Sequence, residues 1–272
     1  MPPTLSKRKP RRTSSAPKPR LAGSHEDSVA KRPATLSSPA DLAAAVDILR
    51  AQDPKTIAAL LKVGGPPPLR ARPANFEGLA WIIVSQQVSK ASATAIFARL
   101  ALQLPRLDAT QFLLAEEAAL RACGLSGPKL RSLGELARAV GEGRLDFGAL
   151  SEMDREQAHK TLLSIKGIGP WTADVFLLFC LGHPDVWPAG DLALQEAARL
   201  VLRLNQRPDA RQLEEIGERW RPWRAVAARL LWSYYGAAVG AGLDRSPAPS
   251  RDERPGSSET EIPPLQSRRK GR

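Results

Sequence analysis

The chain has 272 residues, 43% of them hydrophobic, with a formal net charge of +12 and a pI near 10.3. That length supports a sizeable core, and the basic excess makes a polyanion, nucleic acid before an anionic membrane surface, the first partner to consider. Cys123 and Cys180 are too few to ligate zinc or an iron–sulfur cluster with four thiolates, and His25, His159 and His183 lack metal-ligand spacing, so no metal is expected and the chemistry falls to carboxylates.

Residues 1–37 carry Lys7, Arg8, Lys9, Arg11, Arg12, Lys18 and Arg20 among Pro and Ser, with almost no large apolar side chains. Such composition predicts a disordered basic arm, either a DNA tether or a solubilising tail. Ser38-Pro39-Ala40-Asp41 then supplies an N-cap, a proline at the first helical position and a capping-box acid, and Asp53-Pro54 opens a second helix. Asn75 precedes a long apolar helix through Leu79, Trp81, Ile82 and Ile83, and another helix runs from about Ser89 to Leu102. Gly124 stops a turn at 116–122, and further helices are predicted near 128–141, 153–165, 170–181, 191–203, 209–220 and 222–236. No segment alternates as a strand, so the fold class is all-α. From about 244 to 272 the composition returns to Pro, Ser and charge, which predicts a second disordered tail. No apolar run approaches the roughly 18 residues of a membrane span, and the N-terminus lacks a secretory h-region. The expected compartment is the cytoplasm, nucleoid-associated if the source is bacterial.

The most specific segment is Leu162-Leu163-Ser164-Ile165-Lys166-Gly167-Ile168-Gly169-Pro170-Trp171-Thr172-Ala173-Asp174. It reads as a helix, a Gly-hydrophobic-Gly turn and a second helix opened by Pro170: a helix-hairpin-helix. Gly167 and Gly169 permit a tight turn, and unpaired N–H groups at the start of the next helix can cradle a phosphate or face a bridging cation. Ile168 is expected to plug the hairpin core. Contact with phosphate gives affinity without reading bases. Downstream, Trp187-Pro188-Ala189-Gly190-Asp191-Leu192 delivers a carboxylate to the start of another helix, where Asp191 is also a natural N-cap.

A Gly-Ile-Gly hairpin followed about twenty residues later by Pro-x-x-Asp-Leu resembles the helix-hairpin-helix–Gly/Pro–Asp (HhH-GPD) glycosylase superfamily, nearest its 3-methyladenine DNA glycosylase II group. Phe76-x-x-Leu79 leading to Ser85-Gln86-Gln87-Val88-Ser89, and Cys123-Gly124-Leu125-Ser126 with Lys129, resemble the same family, over roughly residues 40–240.

The resemblance implies two helical domains with a DNA-binding cleft between them: 76–175 as one, and 38–75 with 176–243 as the other. It implies a base-flipping enzyme acting on double-stranded DNA with damaged bases, which hydrolyses the N-glycosidic bond of alkylated purines such as 3-methyladenine with Asp191 as the catalytic carboxylate. Trp171 and Trp232 would line the base pocket, and Gln87 would be the wedge, with Gln86 or Val88 the alternative if the alignment slips by one. Gly167, Gly169, Thr172 and Lys129 would bind DNA phosphate. Trp171 occupies the slot where bifunctional relatives place a lysine, which implies a monofunctional enzyme. No cofactor is required, a monovalent cation at the hairpin is compatible, and a monomer is expected. A glycosylase for oxidised or deaminated bases, and a non-catalytic hairpin protein, stay open. For Trp81, Trp220 and Trp223 the preferred reading is core packing.

Overall fold

A computed structural model describes residues 35–241, and within them every regular element is helical. In chain order these are α1 (Pro39–Gln52), α2 (Pro54–Gly64), α3 (Phe76–Ser85), α4 (Lys90–Gln103), α5 (Ala109–Leu114), α6 (Glu117–Ala122), α7 (Gly127–Gly141), α8 (Phe147–Glu152), α9 (Arg155–Leu163), α10 (Pro170–Phe179), α11 (Leu192–Leu202), α12 (Ala210–Gly217), a 3-10 turn at Glu218–Trp220, and α13 (Arg224–Gly240).

Local chemistry explains most boundaries. Ser38 and Asp41 form the expected capping box, while Asp53 accepts from the Thr56 N–H and Asn75 from the Gly78 N–H. Two helices absent from the sequence reading, α5 and α8, are six-residue turns capped by Asp108 and Asp146. Each is too short to show a helical period. The expected boundary of the basic arm at residue 37 also shifts. Leu36 is buried and its N–H donates to the Gly182 carbonyl at 2.7 Å, so an isolated leucine before the cap anchors the chain to the core. The rest of that arm and the tail after 241 lie outside the described residues.

Helix α13 packs against α1, α2 and α11, while α3 packs against α4, α7 and α10, and α9 pairs with α10. One continuous apolar core, including Leu49, Leu79, Leu136, Phe176 and Leu231, runs through both groups. The α2–α13 contact requires Gly64: a Cβ there would lie 2.5 Å from the Tyr234 main-chain nitrogen. Among the described residues no helix is long and apolar enough to cross a membrane.

Candidate functional site

The loop after α10 is pinned at every turn. Trp187 donates its Nε1–H to the Leu213 carbonyl at 2.9 Å, and buried Gln195 reaches back from α11 to the Ala189 carbonyl at 2.9 Å. The Asp191 N–H closes onto the Pro188 carbonyl at 2.9 Å. Upstream, the guanidinium of Arg224, 1% exposed, grips Asp185 through Nε at 2.8 Å and a second nitrogen at 3.0 Å. It also reaches Glu214 at 3.0 Å, so α12 and α13 are both tied to the loop. These contacts leave Asp191 little freedom of position.

Asp191 caps α11 as expected, its Oδ1 accepting from the Leu194 N–H at 3.0 Å. The same Oδ1 accepts from Trp232 Nε1 at 3.1 Å, and Oδ2 accepts from Trp171 Nε1 at 2.7 Å. The predicted carboxylate and both predicted pocket aromatics, from the start of α11, α10 and α13, therefore converge. An indole N–H lies in the ring plane, so each tryptophan meets the carboxylate with its edge and keeps its faces for stacking. One face of Trp232 lies on Phe179, with ring centroids 5.5 Å apart and planes 25° apart. Behind it, the Arg229 guanidinium sits 4.5 Å above the Phe179 ring and donates to the Leu178 carbonyl at 3.0 Å and to that of Leu69. Burial pushes this guanidinium down to about 10. Sequence reasoning missed Phe179, Arg229, Arg224 and Asp185, because only the fold brings them beside the loop.

The hairpin α9–α10 holds Ile165 and Ile168 buried, as expected. Gly167 has φ +92°, and a Cβ there would fall 2.5 Å from Ser132 Oγ on α7, so no other residue fits without displacing α7. Gly169 is extended instead, with open space around it, and caps α10 without a side chain. Gly167→Ala is expected to lower stability by about 2 kcal/mol in urea unfolding and to weaken duplex binding, whereas Gly169→Ala leaves stability nearly unchanged. Equal stabilities for the two variants would contradict this placement of the turn.

Two residues of the expected phosphate-binding set engage their side chains within the protein. Thr172 is only 3% exposed, and its hydroxyl accepts from Gln86 Nε2 at 2.7 Å. Its side chain is thus turned inward to a partner on another segment. Lys129 is half-buried on α7 and donates Nζ–H to the Val84 carbonyl at 2.7 Å, its pKa lowered by desolvation. Gln87 is exposed at the tip of the α3–α4 turn with φ +54°, while Gln86 is half-buried. Trp220 is fully buried, as core packing requires, and Trp81 and Trp223 are half-buried.

His159 has a partner: its Nε2 is 3.2 Å from Asp174 Oδ1, across the two hairpin helices. Burial pushes Asp174 up to about 7 and holds the imidazole below its ordinary value. Both shifts favour the uncharged forms of the two groups. Between pH about 4 and 7 the unfolded chain loses the Asp174 proton and the folded protein keeps it, so the Asp174 contribution to stability falls as pH rises and levels off above 7, while His159 contributes the opposite slope below 6.5. Asp174→Asn is nearly isosteric and removes the Asp174 part of this dependence; a gain of about 2–4 kcal/mol at pH 8, small at pH 4, is expected in thermal unfolding. A variant with the wild-type pH slope would refute the assignment.

A family model described as HhH-GPD superfamily base excision DNA repair protein matches residues 80–222, more than half of the chain. The chain belongs to this superfamily. DNA-3-methyladenine glycosylase 1 of Schizosaccharomyces pombe is 33% identical to this HhH-GPD chain over 163 residues, 58% of the chain and 71% of the relative. A DNA-3-methyladenine glycosylase of Bacillus subtilis is 34% identical over 97 residues, 36% of the chain and 32% of the relative, so the match spans about a third of that protein's length. Among solved structures, S. pombe Mag1 in complex with abasic DNA aligns with a TM-score of 0.66 and 28% identity, over 75% of this chain and 99% of that one. The matched family stretch contains the hairpin, the pinned loop and Asp191, and ends ten residues before Trp232.

Proposed function

We propose that this HhH-GPD protein is a DNA N-glycosylase that removes alkylated purines such as 3-methyladenine from duplex DNA, with Asp191 as the catalytic carboxylate. The observation that carries the reading is the convergence of two indole N–H groups, from different helices, on that carboxylate. Together with the Leu194 N–H they use three of about four lone-pair positions, which favours a fixed negative charge over a freely turning base. Such a charge stabilises the oxocarbenium character that develops on the sugar as the glycosidic bond breaks, and the position left over can orient water.

A base within a duplex must be extruded to meet this site. Aromatic faces at the carboxylate favour purines that carry positive charge from alkylation, through stacking and cation–π attraction. Their glycosidic bond is already labile, so little protonation of the leaving group is needed. The hairpin's first-turn N–H groups at Trp171 and Thr172 would face a backbone phosphate, with the turn carbonyls available to a monovalent cation. Trp171 stands where an amine nucleophile would be required for strand cleavage, which supports a monofunctional hydrolase. The protein is read as a monomer that works where the chromosome is, in a bacterium the cytoplasm.

The test is a panel of duplexes carrying a methylated purine, uracil or oxidised guanine, with borohydride present to trap any imine. Release of the methylated purine alone, with the strand intact and nothing trapped, is expected. Release of only the neutral lesions, or a trapped adduct, would replace this reading by the oxidised-base or the bifunctional one.

A further inference from the structure

The turn between α3 and α4 is held from two sides by groups that the reaction itself does not use. From α7, the Lys129 ammonium donates to the Val84 carbonyl at 2.7 Å, within the last turn of α3. There a positive charge also complements the negative end of the helix dipole. On the other side, the Gln86 side-chain amide donates to the Thr172 hydroxyl at 2.7 Å, in the first turn of α10. Thr172 directly follows Trp171, which bonds Asp191.

Gln87 directly follows these two anchored positions, exposed, with φ +54°. A side chain with a Cβ holds the left-handed region only where its surroundings over-determine it. Burying an ammonium and a threonine hydroxyl is unfavourable unless each finds a partner, and here both partners belong to this one turn or face it. We propose that Lys129 and the Gln86–Thr172 bridge are positioning residues that lock Gln87 outward as the DNA wedge and couple it to the helix carrying Trp171. A wedge whose backbone is already set in the free protein loses less conformational freedom when it enters the base stack, so more of the binding energy is available for extrusion. This rests on the glycosylase reading above.

The experiment uses the full chain and a duplex with a methylated purine beside a fluorescent purine whose emission rises on unstacking. Binding and the emission rise are read on the same samples, along with single-turnover excision. Thr172→Val removes the hydroxyl without changing volume, Lys129→Met removes the ammonium, and Thr172→Ser and Lys129→Arg restore each donor or acceptor. Thr172→Val and Lys129→Met are expected to lower the extruded fraction of bound duplex by about tenfold, the worth of one such hydrogen bond, with the conservative variants close to wild type. An undiminished emission rise at saturating protein, or equal losses in the restoring variants, would overturn the proposal. A wild type that binds but gives neither emission rise nor base release would instead overturn the glycosylase reading on which it rests.

Discussion

Asp191→Asn is expected to bind lesion-containing duplex nearly as well as the wild type while excising about a thousandfold more slowly. Asparagine is as good an N-cap as aspartate, so its oxygen can still accept from the Leu194 and Trp232 N–H groups. Its amide nitrogen must then face Trp171 Nε1, which lies 2.7 Å from Oδ2, donor against donor. That mismatch costs about 1 kcal/mol of stability, small beside the loss of the negative charge at the developing cation. Asp191→Ala loses the cap as well and is expected to be less stable by a further 0.5–2 kcal/mol or so. Binding by gel shift, excision under single turnover and urea unfolding separate the three quantities.

Arg224→Leu is expected to give the largest loss of stability, about 3–5 kcal/mol, because it leaves the carboxylate of Asp185, 14% exposed, without its bidentate partner. The consequence reaches the site. Asp185 lies midway along the loop that carries Asp191, and the Ala225 N–H donates to the Pro184 carbonyl at 3.0 Å beside it. Loosening the loop there should lower excision beyond what the unfolded fraction explains. Arg221 also pairs with Asp185, at 2.9 Å, but is 46% exposed and solvent-screened, so Arg221→Ala should cost less than about 1 kcal/mol. Comparable losses for the two variants would show that burial of Arg224 is not what matters.

Much of the site was legible because its signals are local. Asp191 announced itself as a cap, Pro170 and the two glycines as a hairpin, and the family likeness singled out Trp171 and Trp232. What the sequence could not show is how those indoles are used: their N–H edges hold the carboxylate, a contact between residues 20 and 41 positions apart. The side-chain partners of Lys129 and Thr172 were hidden for the same reason. Only folding brings Val84 and Gln86 against them, across 45 and 86 residues. Helices α5 and α8 escaped because six residues cannot display a 3.6-residue period. His159 and Asp174 each look unremarkable alone, and only the pairing of α9 with α10 makes them a half-buried couple.

The most direct test of the central claim is base release from methylated duplex DNA by the wild type and Asp191→Asn side by side, at enzyme concentrations that saturate binding for both. The wild type is expected to release methylated purines, and the variant, equally bound, almost none. Release at the wild-type rate by Asp191→Asn would contradict that claim.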